Sequence, residues 1–129
     1  MMPREPFVYE TRVRFGDTDA SGRIFYAALL RHFDAAETEF IRSINWSYKN
    51  LGFPRAHVEM DFTSALAYDD PMQIAVTVDR VGNTSYTLAF HVSSDGRDAA
   101  RGKIVVVSID RATGRPVPLP EALRAALSP

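Results

Sequence analysis

Two carboxylates stand two residues apart in the stretch Phe15-Gly-Asp-Thr-Asp-Ala-Ser-Gly-Arg-Ile-Phe-Tyr26. An alternating segment runs into it and an amphipathic segment runs out of it, so Asp17 and Asp19 fall on a turn between a strand and a helix. The first turn of a helix presents N–H groups with no intrahelical acceptor, and the helix dipole adds positive potential there. A carboxylate set beside such donors can act on a carbonyl whose oxygen those donors polarise. The plainer reading is two turn-forming aspartates, one of them capping the helix. Gly22 fits both readings, as a turn glycine or as a place where a ligand approaches the backbone closely. With the helix start near Phe25 and Tyr26, it can expose N–H groups to an acyl oxygen.

These residues need a strand before them and a helix after them. Residues 7–15 alternate, with Phe7, Tyr9, Thr11, Val13 and Phe15 on one face and Val8, Glu10, Arg12 and Arg14 on the other. Residues 26–43 repeat at helical spacing through Leu29, Leu30, Phe33, Ala36, Phe40 and Ile41, with Ile44 just beyond, which predicts one helix of about five turns. Asp34 lies on this helix about two turns beyond Tyr26, either as surface charge or buried against the acidic turn. His32 reads as a helix-surface residue, and His57 and His91 as satisfied histidines on strands. Phe25, Tyr26, Phe33 and Trp46 read as core by default, and as a pocket lining otherwise.

A loop with a short helical turn is expected over 46–52, followed by strands over 56–67, 73–81, 84–93 and 99–110. Asp69-Asp-Pro71, Gly82-Asn83 and Asp95-Gly96 are the turn signals between them. Residues 104–109, apolar and β-branched, read as a central strand buried on both faces. Thr113-Gly114 turns the chain again, and 120–127 reads as a short helix with Pro120 near its first position. One strand, one long helix and then an antiparallel meander is an α+β layout in a single domain, 1–129. One helix covers only one face of such a sheet, so the other face or an edge is left for a partner subunit.

Composition narrows the function. A 129-residue chain that is 46% apolar and has a net charge of −1 is an ordinary globular domain without the basic stripe of a nucleic-acid binder. Arg97, Arg101, Lys103, Arg111 and Arg115 thicken the C-terminal half as a solvated surface or as phosphate contacts. The absence of cysteine excludes disulfides, thiolate nucleophiles and Cys-based zinc sites, and it fits a reducing cytosol. The N-terminus lacks a signal-peptide core, and no apolar run approaches a membrane span, so a soluble cytoplasmic protein is expected. No Gly-x-Ser-x-Gly elbow, Gly-rich phosphate loop or zinc spacing occurs, so neither a serine triad nor a tightly bound cofactor or metal is expected.

The segment Arg14-Phe-Gly-Asp-Thr-Asp-Ala-Ser-Gly-Arg-Ile-Phe-Tyr26, followed by Leu30-Arg-His-Phe-Asp-Ala-Ala-Glu-Thr-Glu39, resembles the signature of the 4-hydroxybenzoyl-CoA thioesterase family, which includes the YbgC-type acyl-CoA thioesterases. Tyr68-Asp-Asp-Pro-Met-Gln-Ile74 and Val107-Ser-Ile-Asp110 with Gly114-Arg-Pro116 extend the resemblance over nearly the whole chain. It implies the hotdog fold, a five-stranded antiparallel sheet wrapped around one long helix. It implies a homodimer or homotetramer with sites at the subunit interface, and hydrolysis of a coenzyme A thioester, the coenzyme being part of the substrate and not a cofactor. Carried over by position, the catalytic carboxylate falls on Asp19 as base or nucleophile, and the oxyanion donor on the backbone N–H of Tyr26. Gly22 matches the turn glycine, Asp34 the acidic helix position, and Phe25 joins them as substrate-binding. Arg23 stands where the family is usually apolar, and Ala27-Ala-Leu29 replaces more polar and aromatic residues.

A thioester carbonyl is electrophilic and its thiolate leaves readily, so one carboxylate and one oxyanion donor suffice. The alternatives are an acyl-carrier-protein thioesterase, a non-catalytic acyl-thioester binding module and a structural dimerisation domain. A buried, costly Asp19 argues for catalysis over mere binding.

Overall fold

The computed structural model describes residues 5–48 and 52–128. Strand β1 (Phe7–Arg12) leads through a 3-10 turn (Phe15–Asp17) to helix α1 (Tyr26–Ser43). Strands β2 (Arg55–Phe62), β3 (Pro71–Val81), β4 (Ser85–Ser94) and β5 (Arg97–Val107) follow, and helix α2 (Glu121–Leu127) ends the chain. The five strands form one antiparallel sheet in the order β1-β3-β4-β5-β2. The α+β layout expected from the sequence is the one observed.

Helix α1 buries the stripe Ala28, Leu29, Phe33, Ala36, Phe40 and Ile41 against the inward side chains of the meander, among them Ile74, Val76, Leu88, Phe90 and Val106. Phe33 stacks on Phe90 with ring centroids 4.5 Å apart and planes 11° from parallel. Gly102 on β5 makes room for this stack, because a Cβ there would lie 2.6 Å from Phe33. The turn signals are used as expected: Asp95 and Gly96 both adopt positive φ (49° and 78°), the geometry that closes a two-residue hairpin.

Several boundaries differ from the sequence reading. Strand β1 stops at Arg12, not at 15: Val13 still exchanges backbone hydrogen bonds with the Asp69-Asp70 turn, at 2.9 and 2.8 Å, and the chain then enters the 3-10 turn. The 3-10 turn then swings Phe15 outward, so it is 79% exposed and does not continue the inward face. Strand β2 stops at Phe62, since the amides of Thr63 and Ser64 both donate to the carbonyl of Ala99 and turn the chain off the ladder. Strand β5 lies between β4 and β2, with Val105 and Val107 half-buried on the outer face; the central strand is β4. Pro120 is the N-cap of α2 and precedes its first turn. Residues 49–51 of the expected loop, and 1–4 of the N-terminus, lie outside the described residues.

The middle of α1 carries a buried acid that sequence periodicity does not flag. Glu37, 2% exposed, accepts hydrogen bonds from Arg55 at the start of β2 and from the Tyr48 hydroxyl at 2.9 Å. Tyr48 also bonds Tyr86 of β4, and the Arg55 guanidinium lies 5.3 Å from the centre of the Tyr48 ring. Burial pushes the Glu37 carboxyl up despite its Arg55 partner, and raises the phenols of Tyr48 and Tyr86.

Candidate active site

The acidic turn is built as a small closed loop. Thr18 and Ile24 form an isolated bridge; the amide of Asp19 donates to the carbonyl of Arg23 at 3.1 Å, and that of Gly22 to Asp19 at 2.9 Å. Gly22 closes the loop at φ +79°, a conformation that side chains disfavour. Within 14–26 the buried residues are Asp17 and Ile24. Every other residue of the loop is at least partly exposed, Asp19 and Tyr26 included.

The two aspartates have different surroundings. Asp19 is exposed, and its Oδ1 accepts the Ser21 amide at 2.8 Å and the Ser21 hydroxyl at 2.5 Å. Among the described residues its Oδ2 has no hydrogen-bond partner. The Ser21 hydrogen bonds, helped by the nearby Arg23 charge, hold the Asp19 carboxyl below its ordinary value. The expectation of a buried Asp19 is therefore corrected: the surface-facing loop leaves it open to solvent, and the buried acid is Asp17.

Asp17 accepts the Arg14 amide at 2.8 Å on Oδ2, which also lies 2.8 Å from His32 Nε2, while Oδ1 lies 3.5 Å from Arg31. Burial alone would raise the Asp17 pKa; the Arg14 amide, His32 and Arg31 outweigh it, and the net shift is downward. A carboxylate only accepts, so Nε2 of His32 carries the donated hydrogen. Asp17 caps no part of α1. His32 is not a surface residue but is 8% exposed, and with Arg31 it meets the acidic turn from α1. Asp34, expected there as an alternative, is exposed on the outer face of the helix and is not buried against the turn.

Helix α1 starts at Tyr26 with Phe25 as N-cap, and no side chain caps it. The Ala28 amide turns back to the Phe25 carbonyl at 2.8 Å, which among the described residues leaves the amides of Tyr26 and Ala27 for an external acceptor. Phe25 (41% exposed) and Tyr26 (65% exposed) pack on each other with centroids 4.6 Å apart, outside the core where Phe33 is buried and Trp46 half-buried.

Asp19 lies between two depressions. One, of about 430 Å³, is lined by Asp19, Arg23, Ile24, Tyr26, Phe62 and the segment 63–66. The other, of about 560 Å³, is rimmed by Phe15, Gly16, Thr18, Gly22 and Tyr68, with Phe15 and Tyr68 meeting edge to face at 6.0 Å. The structure thus brings Asp19 and Tyr26 to one depression and Asp19 and Gly22 to the other; Asp34 lines neither. The wall 63–66 was not singled out from sequence. Arg97 fastens it, donating to Ser64 Oγ at 2.7 Å, to the Ala65 carbonyl at 2.8 Å and to Asp70 at 3.1 Å. The other basic candidates on β5 also have acidic neighbours: Arg101 with Asp98 at 3.4 Å and Lys103 with Asp79 at 3.2 Å. His57 pairs with Glu59 at 3.0 Å, and His91 with Asp98, as expected of strand histidines.

A five-stranded antiparallel sheet folded on one long helix, with the helix start open beside an acidic turn, is the hotdog architecture. The chain belongs to the Thioesterase-like superfamily, which its sequence matches over residues 13–127, and it is a thioester hydrolase. It is 33% identical to a 1,4-dihydroxy-2-naphthoyl-CoA hydrolase of Synechococcus sp. (strain RCC307), over 87% of this chain and 93% of that one. It is 25% identical to the acyl-CoA thioesterase YbgC of Haemophilus influenzae, over 93% of each. The solved structure of the gentisyl-coenzyme A thioesterase BH1999 superposes with a TM-score of 0.86 at 28% identity, covering 95% of this chain and 100% of that one.

Proposed function

We propose that the protein hydrolyses the coenzyme A thioester of an aromatic acid, with Asp19 as the reacting carboxylate and the Tyr26 amide as the oxyanion donor. One observation carries this reading: Asp19 and the uncapped start of α1 line the same depression. The carboxylate either attacks the thioester carbon or takes a proton from the attacking water. The carbonyl oxygen gains charge as the tetrahedral intermediate forms, and a helix-terminal N–H stabilises that charge. Collapse breaks the C–S bond and releases the thiolate of coenzyme A. A depressed Asp19 pKa keeps the carboxylate ionised at neutral pH, as both roles require.

An aromatic acyl group is supported by the relatives that act on dihydroxynaphthoyl-CoA and gentisyl-CoA, and by the exposed rings of Tyr26 and Phe62 on the depression, with Phe25 packed on Tyr26. In this reading Phe25 and Tyr26 contact the acyl group, and Gly22, on the second depression beside Asp19, lets the substrate approach the backbone.

The site is completed by a second copy of the chain. Strand β2 is a sheet edge whose inward residues Val58 (45% exposed) and Phe62 (41% exposed) are left uncovered, and Phe62 shares the depression with Tyr26. Pairing two such edges buries them and closes the depression. The cysteine-free chain suits a reducing cytosol.

Thiol release from benzoyl-, 4-hydroxybenzoyl-, short- and long-chain acyl-CoAs, with wild type and Asp19→Ala in parallel, tests the reading. Turnover of the aromatic esters that disappears in the variant is expected. Wild-type-like turnover in the variant would overturn the role of Asp19. Release from an acyl carrier protein alone would overturn the coenzyme A substrate.

A further inference from the structure

We propose that Asp17 and His32 are a positioning pair that sets the distance and orientation between Asp19 and the Tyr26 amide. This rests on the roles given above to Asp19 and Tyr26.

The argument is mechanical. The loop carrying Asp19 touches the interior at Asp17 and Ile24; Ile24 packs in the core and its amide donates to the Leu66 carbonyl at 2.7 Å, which with the Arg23–Ala67 bridge ties the returning limb to the 63–67 segment and not to α1. Asp17 ties the loop to α1 at two levels. Its carbonyl accepts the amide of Phe25, the residue just before the helix, at 2.7 Å. Its carboxylate accepts His32 Nε2, nearly two turns further along, at 2.8 Å. It is also tied to the incoming chain by the Arg14 amide at 2.8 Å. One residue therefore joins the end of the entry segment, the N-cap of α1 and the body of α1. Asp19 lies two residues from this junction, and Tyr26 is next to Phe25.

Both partners are more than nine-tenths buried, at 7% and 8% exposure, so the bond is shielded from competing water. Without Asp17 the loop is held at its returning limb alone, by the Ile24–Leu66 bond and the Arg23–Ala67 bridge, and angular freedom of the limb that carries Asp19 is freedom of the reacting carboxylate. Misplacement of a reacting group by about 1 Å can cost about 10²-fold in rate. His32 and Asp17 lie below the loop, and neither lines the two depressions, so neither touches the substrate.

The test compares His32→Leu, His32→Gln and Asp17→Ala with the double variant His32→Leu/Asp17→Ala, using 4-hydroxybenzoyl-CoA and benzoyl-CoA as probes. Amide hydrogen exchange of the same proteins is read at Asp19, Gly22 and Phe25. His32→Leu should lose up to about 10²-fold in kcat with KM little changed. His32→Gln, whose amide still donates to Asp17, should recover most of that loss. The double variant should lose no more than the worse single one, because both remove the same bond. Exchange should quicken at the three loop amides and not in β3–β5.

A buried residue with only a structural role would instead lower melting temperature and raise exchange throughout, with no rescue by glutamine specific to kcat. Wild-type kcat and unchanged loop exchange in His32→Leu would overturn the pair. If the wild type hydrolysed neither probe, the functional reading would fail. The positioning claim would then stand or fall on the loop amides, supported by faster exchange confined to them and overturned by none.

Discussion

The Asp17 carboxylate faces inward onto His32 at 2.8 Å, whereas that of Asp19, two residues along the same turn, faces solvent and is held by Ser21. The 3-10 turn makes this division possible, because it ends at Asp17 and returns Thr18 to extended backbone. One acid anchors the turn to the helix, and the other is left open to solvent.

Asp19→Ala should cut kcat by about 10²–10⁴-fold, the usual contribution of a positioned base. Because the side chain is exposed, the melting temperature should stay within the small range of surface substitutions. Asp19→Asn should be as inactive, since it keeps shape and loses charge. Steady-state kinetics with parallel thermal melts checks both.

Ser21→Ala should move the acid limb of the kcat/KM profile to higher pH. The Ser21 hydrogen bonds are the largest cause of the depressed Asp19 pKa, whose ordinary value is 3.8. In wild type the activity should therefore hold into more acidic solution than in the variant. Superimposable limbs would remove Ser21 from this role.

Asp17 makes stability depend on pH with a definite sign. Its folded pKa lies below the unfolded value of 3.8, so the folded protein holds the proton less tightly than the unfolded chain. Its contribution is full above that value and is lost as the pH falls through the folded pKa. Asp17→Asn should cost about 1–3 kcal/mol at neutral pH. The gap to wild type should close on acidification, as read from urea midpoints across pH.

Gly102→Ala should destabilise by about 1–3 kcal/mol through overpacking. The new Cβ would meet Phe33 at 2.6 Å and the Glu59 carbonyl at 2.9 Å, and the Phe33 ring cannot retreat without leaving its stack on Phe90. A melting temperature equal to wild type would show that the stack can slide.

Arg55→Met should cost more than Glu37→Gln/Arg55→Met. The single change leaves Glu37 buried without its cation, at the low end of about 3–5 kcal/mol because Arg55 is part-exposed. The double change removes the stranded charge. Denaturant unfolding of the two variants gives the comparison directly.

The α1 helix was legible from Tyr26 to Ser43 because its apolar residues repeat cleanly and the tight turns after it carry their own signals. His32 was misplaced because a histidine among arginines suggests a surface, yet Ala28, His32 and Ala36, four apart, mark one buried line. Glu37 was missed because its partners Tyr48 and Arg55, and Tyr86 behind Tyr48, come from separate segments that no periodicity joins. Spacing put Asp17 and Asp19 on one turn and the family resemblance pointed to Asp19, but its exposure was not legible, since a turn motif does not say which of its acids faces inward. The wall 63–66 was read as strand because Leu66 is apolar; it is buried in a loop whose carbonyl takes the Ile24 amide at 2.7 Å.

The sheet order places β1 and β2, the first strands to leave the ribosome, at opposite edges, with the meander β3–β5 between them. Phe7 pairs with Val76, and Phe62 with Ala100. Neither edge strand has a template until the C-terminal half exists. Between the synthesis of Phe62 and Val107 roughly 2–9 s pass at about 5–20 residues per second. During that interval the greasy stripe of α1, with Leu29, Phe33 and Phe40, has no sheet to rest on. The hairpins of β3, β4 and β5 join strands adjacent in sequence and close the shortest loops, and the apolar stripe of α1 stays uncovered until they pair.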